Sequence, residues 1–182
     1  MEQSDARQLL SLTEEQLLAQ CDLHTYKSSG TGGQHRNKVS SAVRLRHRET
    51  GMTAHGDDSR SQHQNKALAV KRLRMNIAVR LRSPISEEGP LLPPVVKQCM
   101  FIARGGNAKG SQRLEVGTKD HRFWEVAAFV LDVLEASKGQ LAQTGHYIGI
   151  TTGNLSSFLA SERHLFTAAQ EIRKAHGQKP LN

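Results

Sequence analysis

"SAVRLRHRETGMTAHGDDSRSQHQNKALAVKRLRMNIAVRLR", residues 41–82, changes its apolar period partway along, and that change dictates the local fold. From 42 to 48 apolar and charged residues alternate, Val43 and Leu45 on one face and Arg44, Arg46 and Arg48 on the other, as in a strand with one buried side. "ETG" at 49–51 supplies a turn, and "MTAHG" at 52–56 returns as a second strand. Beyond it Val70, Leu73, Ile77 and Leu81 recur at helical spacing, which predicts a helix over 61–82 that buries this stripe against the sheet. Pro84 ends it.

Working outward toward the amino terminus, "SSGTGGQHRNK" at 28–38 places Gly30, Gly32 and Gly33 ahead of Gln34. A neutral amide neither takes nor gives a proton near pH 7, so Gln34 is excluded as a general acid or base. Glycines without a Cβ let main-chain N–H groups approach a developing oxyanion closely, while the amide positions a water. The competing reading is a Gly-rich turn between strand and helix, and this stretch alone does not separate the two. "NKVSS" at 37–41 reads as one helical turn capped by Asn37. "DLHTYK" at 22–27 alternates Leu23 and Thr25 with His24 and Tyr26 and reads as a strand. Ahead of it Thr13 is an N-cap, Gln16 closes a capping box, and Leu12 is placed to staple onto Leu17, predicting a helix over 14–21.

The net charge of +8 is concentrated. Between His24 and Arg82 there are thirteen Lys/Arg against three acids (Glu49, Asp57, Asp58); from Ser83 onward there are eleven against nine. That is the footprint of a segment that meets phosphates. Tyr26 is the only aromatic residue before Phe101, so there is no stacking platform, and contact is expected through backbone phosphates and shape. The candidate RNA contacts include Arg60, Gln62, His63, Lys66, Lys71, Arg72 and Arg74, and the nine histidines are read as surface and RNA-facing. Cys21 and Cys99 lie far apart and suggest no disulfide framework, which fits a reducing cytoplasm. No leader pattern and no run of about 20 apolar residues is present, so a membrane location is not expected.

Residues 83–94, "SPISEEGPLLPP", hold four of the five prolines and read as a linker. The expected organisation is therefore a domain at 1–82, this linker, and a helical domain at 95–182. The latter is read as a short helix at 95–103, a Gly-rich loop at 104–111, and an amphipathic helix at 123–138 with Phe123, Val126, Ala127, Val130 and Leu134 as its stripe. "GHYIGITTGNLSSFL" at 145–159 has helix-turn-helix spacing, with Gly145 and Gly149 at the crossing and turn and Ile150, Leu155 and Phe158 in the core. Only Gln140, Gln143, His146, Thr151, Thr152 and Asn154 offer contacts there, without a cation, which favours a helical bundle or a docking role over DNA reading.

Several chemistries find little support. "RGGNAKGS" at 104–111 has Gly105 and Gly110 at phosphate-loop separation, but Ser111 and Gln112 stand where Lys and Ser/Thr are needed. "HGDDSRSQH" at 55–63 groups Ser, His and Asp without a nucleophile elbow. No tight zinc-ligand spacing occurs, and neither a metal nor another cofactor is expected.

Three blocks, "SSGTGGQHRNK", "SAVRLRHRETG" and "RSQHQNKALAVKRLR", occur in order over residues 22–82, and together this stretch resembles the catalytic domain of class I peptide chain release factors. The resemblance implies an α+β fold with a small mixed or antiparallel sheet on a long helix, followed here by a small all-α, helix-turn-helix-like domain. It implies hydrolysis of the peptidyl-tRNA ester, with Gly32, Gly33 and Gln34 entering the peptidyl transferase centre. There the Gln34 backbone N–H would stabilise the transition state and its side chain would help place the water. It further implies that Gln34 is a position for N5-methylation by a glutamine methyltransferase. Arg36, Lys38, Arg60 and Lys66 would contact or brace against tRNA and large-subunit RNA.

Two departures shape the expectation. Arg36 stands where the termination factors usually carry an apolar residue, which suggests a divergent branch. Only residues 1–21 precede the catalytic block, where stop-codon readers have a large decoding region, so the nearer likeness is to codon-independent factors that rescue stalled ribosomes. Those usually end in a basic tail, whereas "KAHGQKPLN" is short and mildly basic. The expected partners are the ribosome and peptidyl-tRNA, for a monomeric cytoplasmic protein. The alternative is a non-catalytic RNA- or ribosome-binding module on the same fold; the intact Gly32-Gly33-Gln34 favours the enzyme.

Overall fold

The computed structural model describes residues 5–27, 40–86, 91–103 and 111–181. It contains two compact units, Met1–Ile77 and Ala78–Asn182. The first holds helices α1 (Ala6–Ser11) and α2 (Glu14–Ala19), strands β1 (Cys21–Tyr26), β2 (Ala42–His47) and β3 (Thr53–Gly56), and most of helix α3 (Gln62–Arg80).

The three strands form an antiparallel sheet in the order β1-β2-β3, with Leu23, Leu45 and Ala54 in one cross-strand row and His24, Arg44 and His55 in the next. Val43 and Leu45 are fully buried and Arg44 and Arg46 exposed, as their alternation predicts. The β2–β3 turn closes with the Gly51 N–H donating to the His47 carbonyl (2.9 Å), and Gly51 takes a φ of +69° that side-chain-bearing residues seldom adopt. Ala69, Val70, Leu73 and Ile77 are the buried side of α3. The helix comes so close to β3 that a Cβ on Gly56 would sit 1.9 Å from the Asn65 carbonyl oxygen, which is why the strand ends in glycine. The capping box of α2 forms as read: the Gln16 N–H donates to Thr13 Oγ1 (3.2 Å) and the Thr13 N–H to Gln16 Oε1 (2.9 Å). Leu23, on the edge strand, remains 43 % exposed, although its row faces inward.

His47 departs from the reading of the histidines as surface groups, because it is fully buried at the end of β2. Its Nε2 lies 3.0 Å from Gln20 Oε1, and its Nδ1 accepts from the Thr50 N–H (3.3 Å), which assigns the proton of the neutral ring to Nε2. Burial pushes its pKa down, with a smaller opposing pull from Glu49. The fold therefore prefers the neutral ring, while the unfolded chain takes up a proton near pH 6.5. This contribution is complete above that value and is lost as pH falls through the lowered native pKa. The urea midpoint of the first unit should fall between pH 7.5 and 5.5, and it should fall less in His47→Gln.

The second unit comprises α4 (Pro94–Gln98), a ribbon of β4 (Met100–Ile102) and β5 (Gln112–Leu114), and helices α5 (Phe123–Ala136), α6 (Leu141–Ile148), α7 (Thr152–Ala160) and α8 (Arg163–Ala175). Two expectations need correction. The helix read over 95–103 stops at Gln98, and Met100–Ile102 pairs antiparallel with β5, so this unit is not purely helical. The helix read as amphipathic is buried on almost every side: from Phe123 to Leu134 only Glu125 is not buried. It is the central helix of the unit: α4, α6 and α8 pack against it, and Phe158 of α7, which packs on α6 and α8, meets Phe123 at 5.7 Å between ring centroids.

The helix-turn-helix spacing corresponds to α6, a turn at Gly149 (φ +83°) and α7, with Leu155 fully buried. A Cβ on Gly145 would stand 2.8 Å from the Ile150 carbonyl oxygen, so the crossing requires glycine. Ser83, read as the start of a linker, is instead buried, with its N–H donating to Asp132 Oδ1 at 2.9 Å. The helical turn expected at 37–41 lies outside the described residues at 37–39, and Ser40 and Ser41 are not helical. The Gly-rich loop lies outside them at 104–110. No helix among the described residues is long and apolar enough to cross a membrane.

Candidate functional site

The site is built on the β1–β2 pair. Tyr26 and Ala42 are its last register partners, so the chain leaves β1 and re-enters β2 at neighbouring positions, and residues 28–39 connect them. Gly32, Gly33, Gln34, Arg36 and Lys38 fall in that connection and lie outside the described residues. What the structure gives is the frame from which they extend.

At the β1 end, the Tyr26 hydroxyl lies 3.2 Å from His55 Nδ1, with the rings edge to face at 6.1 Å. Burial raises the pKa of the Tyr26 phenol, so it stays a neutral hydrogen-bonding group. At the β2 end stands Asn65, a residue missed on reading the sequence. It is fully buried in the first turns of α3. Its Nδ2 donates to the carbonyls of Ser41 (2.8 Å) and Ser59 (2.7 Å), and its Oδ1 accepts from the Ser59 N–H (2.9 Å). One side chain thus joins the re-entry point of the 28–39 connection to the segment that starts α3. The available signal was a poor helix former within a helix otherwise rich in Ala, Leu and Lys.

Asn65→Ala strips partners from three half-buried backbone groups and should cost about 2–4 kcal/mol. Thermal unfolding of the full chain checks this, with a loss below about 1 kcal/mol counting against the bracing role.

The predicted RNA contacts divide into two sets. Arg60, Gln62, His63 and Lys71 are exposed and Lys66 half-buried, and among the described residues none of the three cations forms an ion pair. Arg72 is largely occupied: it pairs with Asp58 (3.0 Å) and Asp57 (3.7 Å) and donates to the His55 carbonyl (2.9 Å). Arg74 turns inward and donates to the carbonyls of Leu10 (2.6 Å) and Leu12 (2.5 Å), satisfying groups at the end of α1 that a helix leaves without partners. The structure therefore reassigns Arg74 from the RNA face to a brace.

On the second unit, Asn154 is likewise committed, accepting from the Leu114 N–H (2.7 Å) and donating to the Leu114 carbonyl (3.0 Å). Thr151 caps α7, and Gln143 donates to the Tyr147 hydroxyl (2.9 Å). Of the six polar residues that offer contacts there, three serve the unit itself. No group of three or more metal-ligating side chains occurs among the described residues.

Comparison with known proteins gives this frame a relationship. Residues 15–89 match the family model of the RF-1 domain. The chain is 49 % identical to peptide chain release factor 1 of Leptothrix cholodnii over 70 residues, which is 38 % of this chain and 18 % of that protein. It is 53 % identical to peptide chain release factor 2 of Borreliella burgdorferi over 55 residues, 30 % of this chain and 15 % of the relative. With peptide chain release factor 1 of Paracidovorax citrulli it shares 42 % identity over 83 residues, 46 % of this chain and 22 % of the relative. The matched stretches thus span less than a quarter of these release factors' length.

Proposed function

We propose that this protein hydrolyses the ester between nascent peptide and tRNA within the ribosome, as a release factor that acts without reading a codon and frees stalled ribosomes. The observation that carries the reading is the likeness of residues 15–89 to the RF-1 domain, on a sheet-and-helix frame whose two neighbouring strands hold the ends of the segment containing Gly32-Gly33-Gln34.

In this reading the reaction is acyl transfer to water. Water adds to the ester carbonyl carbon, the bond to the terminal ribose oxygen of tRNA breaks, and the leaving oxygen takes up a proton. Charge gathers on the oxygens of the tetrahedral intermediate. The Gln34 main-chain N–H, unobstructed beside two glycines, donates to that charge, and its amide side chain holds the attacking water. N5-methylation of Gln34 by a glutamine methyltransferase would trim one N–H from that amide and narrow the ways in which it holds water. Asn65 fixes the re-entry into β2, and Arg36, Lys38, Arg60, Gln62, His63, Lys66 and Lys71 face RNA, with Arg72 contributing less because its charge is already met. The protein acts as a cytoplasmic monomer with no cofactor, the ribosome supplying the rest of the site.

Codon independence is the finer part of the reading. What supports it is that the chain adds to the RF-1 match a unit whose core is a buried helix and in which Gln143, Thr151 and Asn154 of the helix-turn-helix serve internal contacts. The test is release of labelled peptide from ribosomes with a sense codon, a stop codon or no mRNA in the A site. Release on the codon-free complex without any requirement for a stop codon is expected; release confined to stop codons would overturn codon independence.

A further inference from the structure

The solvent face of the three-stranded sheet carries cations that neither the packing nor the proposed hydrolysis uses. Paired residues share a face, so register places His24, Arg44 and His55 in one row and Asp22, Arg46 and Thr53 in the next. Arg44 and Arg46 are both exposed and stand two residues apart on the central strand, about 6.6 Å along it. A sheet normally sets opposite charges across from one another, because like charges there destabilise it. Here Arg44 lies between two imidazoles. The one carboxylate opposite Arg46, that of Asp22, is approached by Arg48 at 3.5 Å, and Arg48 is itself tied to the Cys21 carbonyl at 3.0 Å. Asp57 and Asp58, beyond the β3 end, are taken by Arg72. Among the described residues, Arg44 and Arg46 have no ion pair and no hydrogen bond from their side chains.

We propose that this sheet face binds the phosphate backbone of RNA, Arg44 and Arg46 each neutralising one phosphate. The proposal rests on the ribosomal reading above for the source of that RNA. An acidic protein is the poorer fit, because the face has no large apolar anchor of the kind that dominates protein interfaces; its one aromatic, Tyr26, is half-buried and bonded to His55. A phosphate backbone needs charge at suitable spacing and no anchor. The face would be a second contact, separate from Arg60, Lys66 and Lys71 around α3, and it would orient the domain about the strands that hold residues 28–39.

The experiment measures binding of the full chain to large ribosomal subunits, and to protein-free large-subunit RNA, across a KCl series. The variants are Arg44→Gln, Arg46→Gln, their double, and Arg80→Gln as an exposed control on α3. Thermal melts should stay close to the parent, since among the described residues the replaced groups form no side-chain hydrogen bond and no ion pair. The double variant is expected to reduce the slope of log K against log salt by between about 1 and 2 on both targets, each single by about half of that, with the control unchanged. An unchanged slope in the double variant overturns the proposal. Weakening on intact subunits but not on protein-free RNA also overturns it, in favour of a ribosomal protein as the partner. The parent's ester-cleavage rate, measured alongside, keeps the two readings apart. A shifted slope without cleavage retains this surface and removes the hydrolase; cleavage with an unshifted slope does the reverse.

Discussion

Gly33→Ala should lower the rate of peptide release by about 100-fold or more while leaving ribosome affinity within about twofold. The size follows from the role assigned to the backbone. Losing one preorganised donor to an oxyanion typically costs 10²–10³ in rate, and a new Cβ beside Gln34 obstructs the approach without touching any cation. Gln34→Ala makes the complementary test, because it keeps the main-chain N–H and removes only the group assigned to the water. It should slow release less than Gly33→Ala does. If Gly33→Ala released peptide at the parent's rate, the backbone mechanism would fail. A parallel loss of binding would instead mean that the glycine serves packing.

Asp132→Ala should destabilise the second unit by about 3–5 kcal/mol. Asp132 sits buried on α5, and its Oδ1 accepts from the Ser83 N–H at 2.9 Å and from Arg82 Nη1 at 3.3 Å. Burial presses the Arg82 pKa down, and Asp132 is the larger of two carboxylates that pull it back. Removing Asp132 takes from a largely buried guanidinium the stronger of the two carboxylates that pull on it, and takes from the buried Ser83 N–H the carboxylate oxygen it donates to. Pairing Arg82→Met with Asp132→Leu should recover much of the loss, because the expense lies in an unmatched buried charge more than in the pair itself. Trp124, the only tryptophan, lies on α5 and reports this unit directly in urea unfolding followed by fluorescence. A loss below about 1 kcal/mol would mean that the pair is solvated in solution.

These contacts also mark where sequence reasoning reaches its limit. β2, β3, α2 and α3 were legible because each is written in local chemistry: alternation, a Gly turn, a capping box, an apolar stripe. The ribbon β4–β5 was not, because three-residue strands carry almost no period and Met100 finds Leu114 only across an intervening Gly-rich segment. In α5 one apolar stripe could be picked out, but Leu131, Phe129 and Val133 are buried as well, and a helix enclosed on all sides has no face for periodicity to find.

The same limit governs the site. Counting cations located the basic segment but could not distinguish Arg74, whose partners are carbonyls of α1, from Lys71, which faces solvent. Asn65 looked ordinary because Ser41, the group it holds, is distant in sequence. The Gly32-Gly33-Gln34 segment was the reverse case: it pointed to a chemistry only when read together with the blocks downstream, and its geometry lies outside the described residues.

The most direct test of the account is a single-turnover assay of ester cleavage. Purified full chain is added in excess to ribosomes holding labelled peptidyl-tRNA with no stop codon in the A site, and free peptide and deacylated tRNA are quantified over time. The account predicts that both appear together, well above the rate of ribosomes alone, and that Gly33→Ala suppresses both. Saturating binding of the parent protein with no cleavage above that background would contradict it.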